Sequence, residues 1–256
     1  MSVLGSLSSA VGATSSLATT ASTQWIKQAV NTTASFRGLS VVDEKVVWAS
    51  GTGGTVIKTT DGGTTWTTQT SGTTSDLMSV SFVDANNGWI VGWYGTILNT
   101  TDAGSTWSPQ INGVPIKYFL SVSFTDFNNG TAVGQGGTII RTTNGGVNWT
   151  TQTSGTINQL WGVSFIDANT GIAVGDTGTI IRTTDGGTNW SPQTSSTLKT
   201  LKSVSFTDAL TGTVVGQDTT ILRTTNGGTN WTPQTSGTTK ELNGAFFTDA
   251  NNGIVV

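Results

Sequence analysis

Tryptophan recurs along this chain at an almost constant interval: Trp25, Trp66, Trp107, Trp149, Trp190 and Trp231 are spaced 41, 41, 42, 41 and 41 residues apart. A period of that length means one supersecondary unit copied in series, each copy burying its apolar face against the next. The last five tryptophans each close an eight-residue motif, TTDGGTTW, TTDAGSTW, TTNGGVNW, TTDGGTNW and TTNGGTNW. A Thr/Ser/Gln stretch follows each one, then an alternating segment such as SVSF or GVSF. Next come a turn such as DANNG or DFNNG, a short apolar run such as TAVG or IAVG, and GTII or a variant.

Alternation with period 2 places Val80 and Phe82, Val122 and Phe124, Val163 and Phe165, and Val204 and Phe206 on one buried face. The Gly/Asn clusters at 86–88, 128–130 and 251–253 are turn formers. Each unit therefore reads as four short strands joined by tight turns. Repeated, that predicts an all-β chain: a six-bladed β-propeller of four-stranded antiparallel blades.

With strands named A to D from the channel outward, strand A is expected at 38–42, 78–82, 120–124, 161–165, 202–206 and 243–247. Strand C is clear only five times. The sequence stops after a strand B and starts before a strand D, so the last blade is expected to be closed by both termini. Residues 10–24 supply the fifteen residues that the interval from Val133 to Trp149 requires, with Gly12-Ala13-Thr14 standing where Gly136-Gly137-Thr138 stand. The expected organisation is one propeller domain over 10–256 behind an N-terminal extension, 1–9. Pro109, Pro192 and Pro233 fall two residues after a Trp, in strand D, the outer edge where a missing N–H is tolerated and stray pairing is discouraged.

The repeated motif has a structural task. Asp61, Asp102, Asn144, Asp185 and Asn226 accept hydrogen bonds from their own turns. Gly63, Gly104, Gly146, Gly187 and Gly228 take the left-handed backbone, and Trp66, Trp107, Trp149, Trp190 and Trp231 fold under the blade as apolar wedges. The pattern Thr-x-Asp/Asn-x-Gly-x-x-Trp resembles the Asp box of sialidases, related propellers and BNR-repeat proteins. From Phe36 to Val256 the chain most resembles the photosystem II stability/assembly factor-like propellers. That resemblance implies the fold and a role in protein binding or assembly. It also implies that the strand C position held by Lys58, Asn99, Arg141, Arg182 and Arg223 contributes to a basic contact surface. The competing reading is a solvated side chain that covers the neighbouring strand.

Composition removes most catalytic chemistry. The 256 residues include no His and no Cys, which excludes histidine bases, a Ser-His-Asp triad, thiolate zinc sites and disulfides. A net charge of -3 with 10% charged residues argues against nucleic acid, and no apolar run is long enough to insert in a membrane. DANNG at 84–88 lacks the Glu an EF-hand loop needs, so no metal and no cofactor are expected. A sialidase-like glycosidase is a third choice: three of the four arginines repeat around the ring, and no carboxylate pair stands out. The chain is read as no enzyme.

Function is sought where the repeat breaks. The second B–C loop, WYG, brings Trp93 and Tyr94, and the irregular D–A loop INGVPIKYF brings Tyr118. The second residue of strand A varies as Arg37, Met78, Leu120, Trp161, Lys202 and Asn243. Trp93, Tyr94, Tyr118, Trp161, Arg37 and Lys202 are therefore the candidate binding residues for a protein partner. The alternative is a glycan, bound by a lectin, an adhesin or a virion component. Low charge with abundant Thr, Ser, Asn and Gly fits an extracellular or surface-exposed scaffold. Trp48 and Trp89, aligned in strand B, are expected in the core.

Overall fold

The computed structural model describes residues 27–114 and 117–256. The expected extension 1–9, and the segment 10–26 expected to complete the last blade, lie outside the described residues.

Five antiparallel four-stranded sheets follow one another along the chain, each in the order A-B-C-D, and a two-stranded sheet ends it. The first comprises Phe36–Val41, Val47–Gly51, Val56–Thr59 and Thr67–Gln69. Its counterparts begin with strands A at Leu77–Phe82, Phe119–Phe124, Leu160–Phe165 and Leu201–Phe206. The last sheet pairs Ala245–Phe247 with Gly253–Val255. Numbered as blades 1 to 6, they pack with their A strands side by side, each against the next. Strand A of blade 6 begins at Ala245, later than the sequence pattern places it.

The core lies between blades. Trp48 and Val56 of blade 1 share a cluster with Leu77, Val80, Ile90 and Trp107 of blade 2, and the same arrangement recurs at the next three junctions. Strand B is buried along its full length in blades 2 to 5, as its near-continuous apolar sequence demands. Trp48 and Trp89 are fully buried there, each stacked on the strand A Phe of the following blade: Phe82 at 4.3 Å and Phe124 at 3.7 Å between centroids. That Phe ring also covers the glycine that opens its own strand B. A Cβ on Gly88 would lie 2.4 Å from Phe82, so no larger residue fits.

Alternate serines of strand A join the blades. The Oγ atoms of Ser79 and Ser81 accept the backbone N–H groups of Val122 and Phe124 at 3.2 and 3.1 Å. Ser121 and Ser123 accept from Val163 and Phe165, and Ser203 and Ser205 from Ala245 and Phe247. These bonds satisfy the inner-edge N–H groups that an innermost strand otherwise leaves open.

Candidate functional site

Strand alternation sends B–C and D–A loops to one face and the other turns to the opposite face. Hydrogen bonds tie each face together. On the first, the N–H groups of Trp93, Gln135, Asp176 and Gln217 donate to the carbonyls of Asp76, Tyr118, Gln159 and Thr200, each in the preceding D–A loop. On the second, Ala103 and Gly145 donate to the A–B turn carbonyls of Asn86 and Asn128.

The repeated motif sits on the second face as a closed hydrogen-bond unit. Thr59 Oγ1 donates to Asp61 Oδ1 at 2.8 Å and accepts the Gly63 N–H at 2.9 Å. Thr65 donates its N–H to Oδ1 at 2.9 Å and its hydroxyl to Oδ2 at 2.7 Å. The Thr65 hydroxyl, then its N–H, then the Thr59 hydroxyl hold the Asp61 carboxyl down at about 2. Gly63 has φ of 92°. The motif tryptophans of blades 2 to 5 are buried edge-on against the strand A Phe of their own blade, as Trp149 is against Phe124 at 5.9 Å. The turn's acceptors are thus occupied by its own donors.

The repeated basic position also acts within the fold. Arg141 donates from Nη2 to the Ala168 carbonyl of the next blade at 2.6 Å and lies 5.4 Å from the Phe165 ring. Arg223 repeats this on Ala250 and Phe247, and Lys58 donates to the Ala103 carbonyl at 3.3 Å. These three side chains clasp the junctions between blades 1 and 2, 3 and 4, and 5 and 6, and so are spread around the series.

The variable second residue of strand A has a backbone cause for its prominence. In all five complete blades that residue is the extra one of a β-bulge: Arg37, Met78, Leu120, Trp161 and Lys202 have no partner on strand B. A bulge re-aims its side chain away from the ladder. Trp161 and Lys202, on neighbouring blades, meet: the ammonium lies 3.7 Å from the indole centroid. The indole N–H donates to Asp176 Oδ1 at 2.8 Å, and the Thr200 hydroxyl donates to the same oxygen at 3.2 Å.

Trp93, Tyr94 and Tyr118 form a second group. Trp93 stacks on Tyr118 at 5.3 Å, and Tyr94 stands edge-on to both at 6.3 and 5.5 Å. Tyr94 has φ of 57° where Gly53 and Gly136 occupy the matching turns, and it is 59% exposed. Thr177 and Asp218 hold the same turn position at φ of 56° and 50°, so the left-handed backbone belongs to the repeat; what sets Tyr94 apart is the large aromatic side chain that this turn presents to water.

The six candidate residues thus resolve into one aromatic triad, one Trp161–Lys202 pair, and Arg37, which is exposed and has no hydrogen bond or ring contact among the described residues. Asp176, Thr200 and Lys117 are additions that sequence reasoning missed. The first two lie at ordinary loop positions, and only the departure of INGVPIKYF from the repeat marked Lys117. Among the described residues, no group of three or more acidic side chains is placed to hold a metal ion.

Five blades of this kind, with a motif turn between strands C and D, define a BNR-type β-propeller. The family model of the photosynthesis system II assembly factor YCF48 matches residues 17–157 and 154–245, and the chain belongs to that family. Its fold is similar to that of YCF48 bound to D1 peptide, at 21% identity and a TM-score of 0.62 over 89% of this chain and 90% of that one. YCF48 from Cyanidioschyzon merolae matches at 19% identity and a TM-score of 0.61 over 89% and 94%. The Niastella koreensis GH74 enzyme matches at 16% and a TM-score of 0.64, over 78% of this chain but 38% of the enzyme. No curated protein sequence matches the chain.

Proposed function

We propose that this chain is a non-catalytic, six-bladed propeller, closed by both termini, which binds a protein partner through the B–C and D–A loop face. One observation carries the reading. Tyr94 adopts a left-handed backbone at φ of 57° and offers its ring to solvent beside Trp93 and Tyr118. Rigid aromatics in a preorganised cluster are the common anchors of protein recognition. Membership of an assembly-factor family, and the D1 peptide bound by one structural relative, favour a protein partner over a saccharide. Trp161 and Lys202 form a second contact on the same face, and the repeated motifs on the opposite face serve the fold.

The test is a displayed random-peptide library selected on the protein, with a glycan array in parallel. Enriched peptides should lose binding to the Trp93→Ala/Tyr94→Ala protein and keep it to Thr64→Ala/Thr188→Ala. Glycan binding without peptide enrichment would overturn the reading.

A further inference from the structure

A groove of about 800 Å3 opens between the D–A loop ahead of blade 3 and the blade 3 loops beyond it, with Val114, Lys117, Gly136, Gly137, Ile157 and Asn158 among its lining. Lys117 links it to the aromatic triad. Tyr118 follows Lys117 in sequence, and the Lys117 carbonyl accepts the Gly95 N–H at 2.7 Å, which ties this wall to the Trp93–Tyr94–Gly95 turn.

Two features define what fills it. The first is apolar. Ile157 is 90% exposed and Leu198, at the same position of the next D–A loop, 80%, where other loops carry Thr74 and Thr239. Two large aliphatic side chains held in water on consecutive blades make a rail along the rim, not a single deep pocket. The second is charge. The Lys117 ammonium reaches Gly136, 3.8 Å from where a Cβ would stand, and it has no ion-pair partner; the only ion pair among the described residues joins Lys199 to Asp218. No acid lines the groove. Three acids of this face are engaged elsewhere: Asp76 accepts the Gly53 N–H, Asp176 accepts from Trp161 and Thr200, and Asp218 pairs with Lys199. The fourth, Glu241, lies three D–A loops further on.

The geometry points to an extended polypeptide segment that sets an acidic side chain on Lys117 and apolar side chains on Ile157 and the Trp93–Tyr94–Tyr118 triad. This inference rests on the protein-binding reading and adds the partner's chemistry. A carboxylate fills the unpaired cation, and spaced apolar residues match contacts spread over neighbouring blades.

The probe is an array of short synthetic peptides in three matched sets: acidic residues with Leu, Phe and Trp; the same apolar residues with Lys in place of the acids; and the acids with Ser in place of the apolar residues. The first set should bind best, and more weakly as salt rises. Lys117→Gln should lower its affinity roughly tenfold, the scale of a charge-assisted hydrogen bond. Ile157→Asp should weaken the same set, with the melting temperature unchanged because the side chain is free in solvent. If the Lys set binds as well as the acidic set and Lys117→Gln changes nothing, while Trp93→Ala/Tyr94→Ala still abolishes binding, the acidic partner is refuted and protein binding stands. If no set binds, both fail.

Discussion

The ammonium of Lys202 lies 3.7 Å from the centre of the Trp161 indole, although the two residues belong to different blades. Each is the bulged residue of its inner strand, so the same local defect, repeated, brings side chains from successive blades together at one rim. The indole is fixed from its edge by Asp176 and from its face by Lys202. A double-mutant cycle on Trp161→Ala and Lys202→Met should return a coupling of about 0.5–1 kcal/mol, as expected of a partly exposed cation–π pair. Additive effects would mean that the contact does not stabilise the fold.

Tyr94 offers a test in which stability and binding move in opposite directions. A left-handed backbone costs a residue bearing Cβ about 1–2 kcal/mol relative to glycine, and Gly53 and Gly136 already occupy the matching turns at φ of 64° and 63°. Tyr94→Gly should therefore melt no lower than the wild type, while losing affinity for the peptides selected above. A marked fall in melting temperature would show that the ring supports the fold more than it serves a partner.

How much of this was legible in the sequence depends on whether the residue pattern recurs. The repeated Trp, the Gly before it and the Asp or Asn at its turn are copied five times, and their hydrogen bonds follow from turn chemistry. Phe82 and Phe124 were readable as one apolar face, but their stacking on Trp48 and Trp89 of the preceding blade was not, because period-2 alternation is silent about which sheet faces which. The serine pairs Ser79/Ser81 and Ser121/Ser123 bond the next blade's backbone, a role that alternation with apolar residues does not reveal. The bulge at Trp161 and Lys202 leaves no composition signal. Tyr94 is readable as a departure, since it stands where two other loops place glycine; its left-handed backbone is not, because Thr177 and Asp218 hold the same turn position without glycine.

Acid should expose the motif carboxylates. The Thr65 hydroxyl and N–H hold Asp61 at about 2, and Asp102 and Asp185 are lowered by the matching bonds from Thr106 and Asn189. A carboxyl depressed in the folded state contributes stability that is complete above the unfolded value near 4 and lost as pH falls through the folded value. Stability should thus be level above about pH 5 and decline between about 4 and 2. Asp61→Asn keeps the Oδ1 acceptor, as Asn144 does toward the Asn148 N–H at 2.9 Å, but gives up the charge and the second oxygen. It should be less stable than wild type at neutral pH, with the gap closing toward pH 2. A gap of constant size down to that pH would show that the carboxylate charge is irrelevant.

Trp149 tests the wedge role of the motif tryptophan. It is buried in the cluster that joins blades 2 and 3, edge-on to Phe124. Trp149→Ala should cost about 3–5 kcal/mol by denaturant unfolding, as other large-to-small core changes do. A loss under about 0.5 kcal/mol, typical of surface sites, would remove the wedge from the account.

Ring closure can be tested at two apolar side chains left uncovered at the ends of the series. Leu39 stands in strand A of blade 1 where Val80, Val122, Val163 and Val204 are buried against the preceding blade, yet it is 50% exposed. Phe246 stands where Ser81, Ser123 and Ser205 reach toward the following blade, and it is 41% exposed. In a closed ring these two faces meet, with a Phe–Leu contact replacing the serine bonds of the other junctions. Gln28 supports the same geometry. It lies against Gly63, 3.3 Å from where a Cβ would stand, just as Gln110 of blade 2 lies against Gly146 of blade 3. That is the place the outer strand of a preceding blade would take in a closed ring. The protein has no Cys, so Leu39→Cys/Phe246→Cys carries two unique thiols. A short bifunctional thiol reagent should link them within one chain and raise the melting temperature, and deleting residues 1–28 should promote association through the exposed sheet edge. Links formed only between chains, or a deletion that stays monomeric with unchanged melting, would refute closure by the termini.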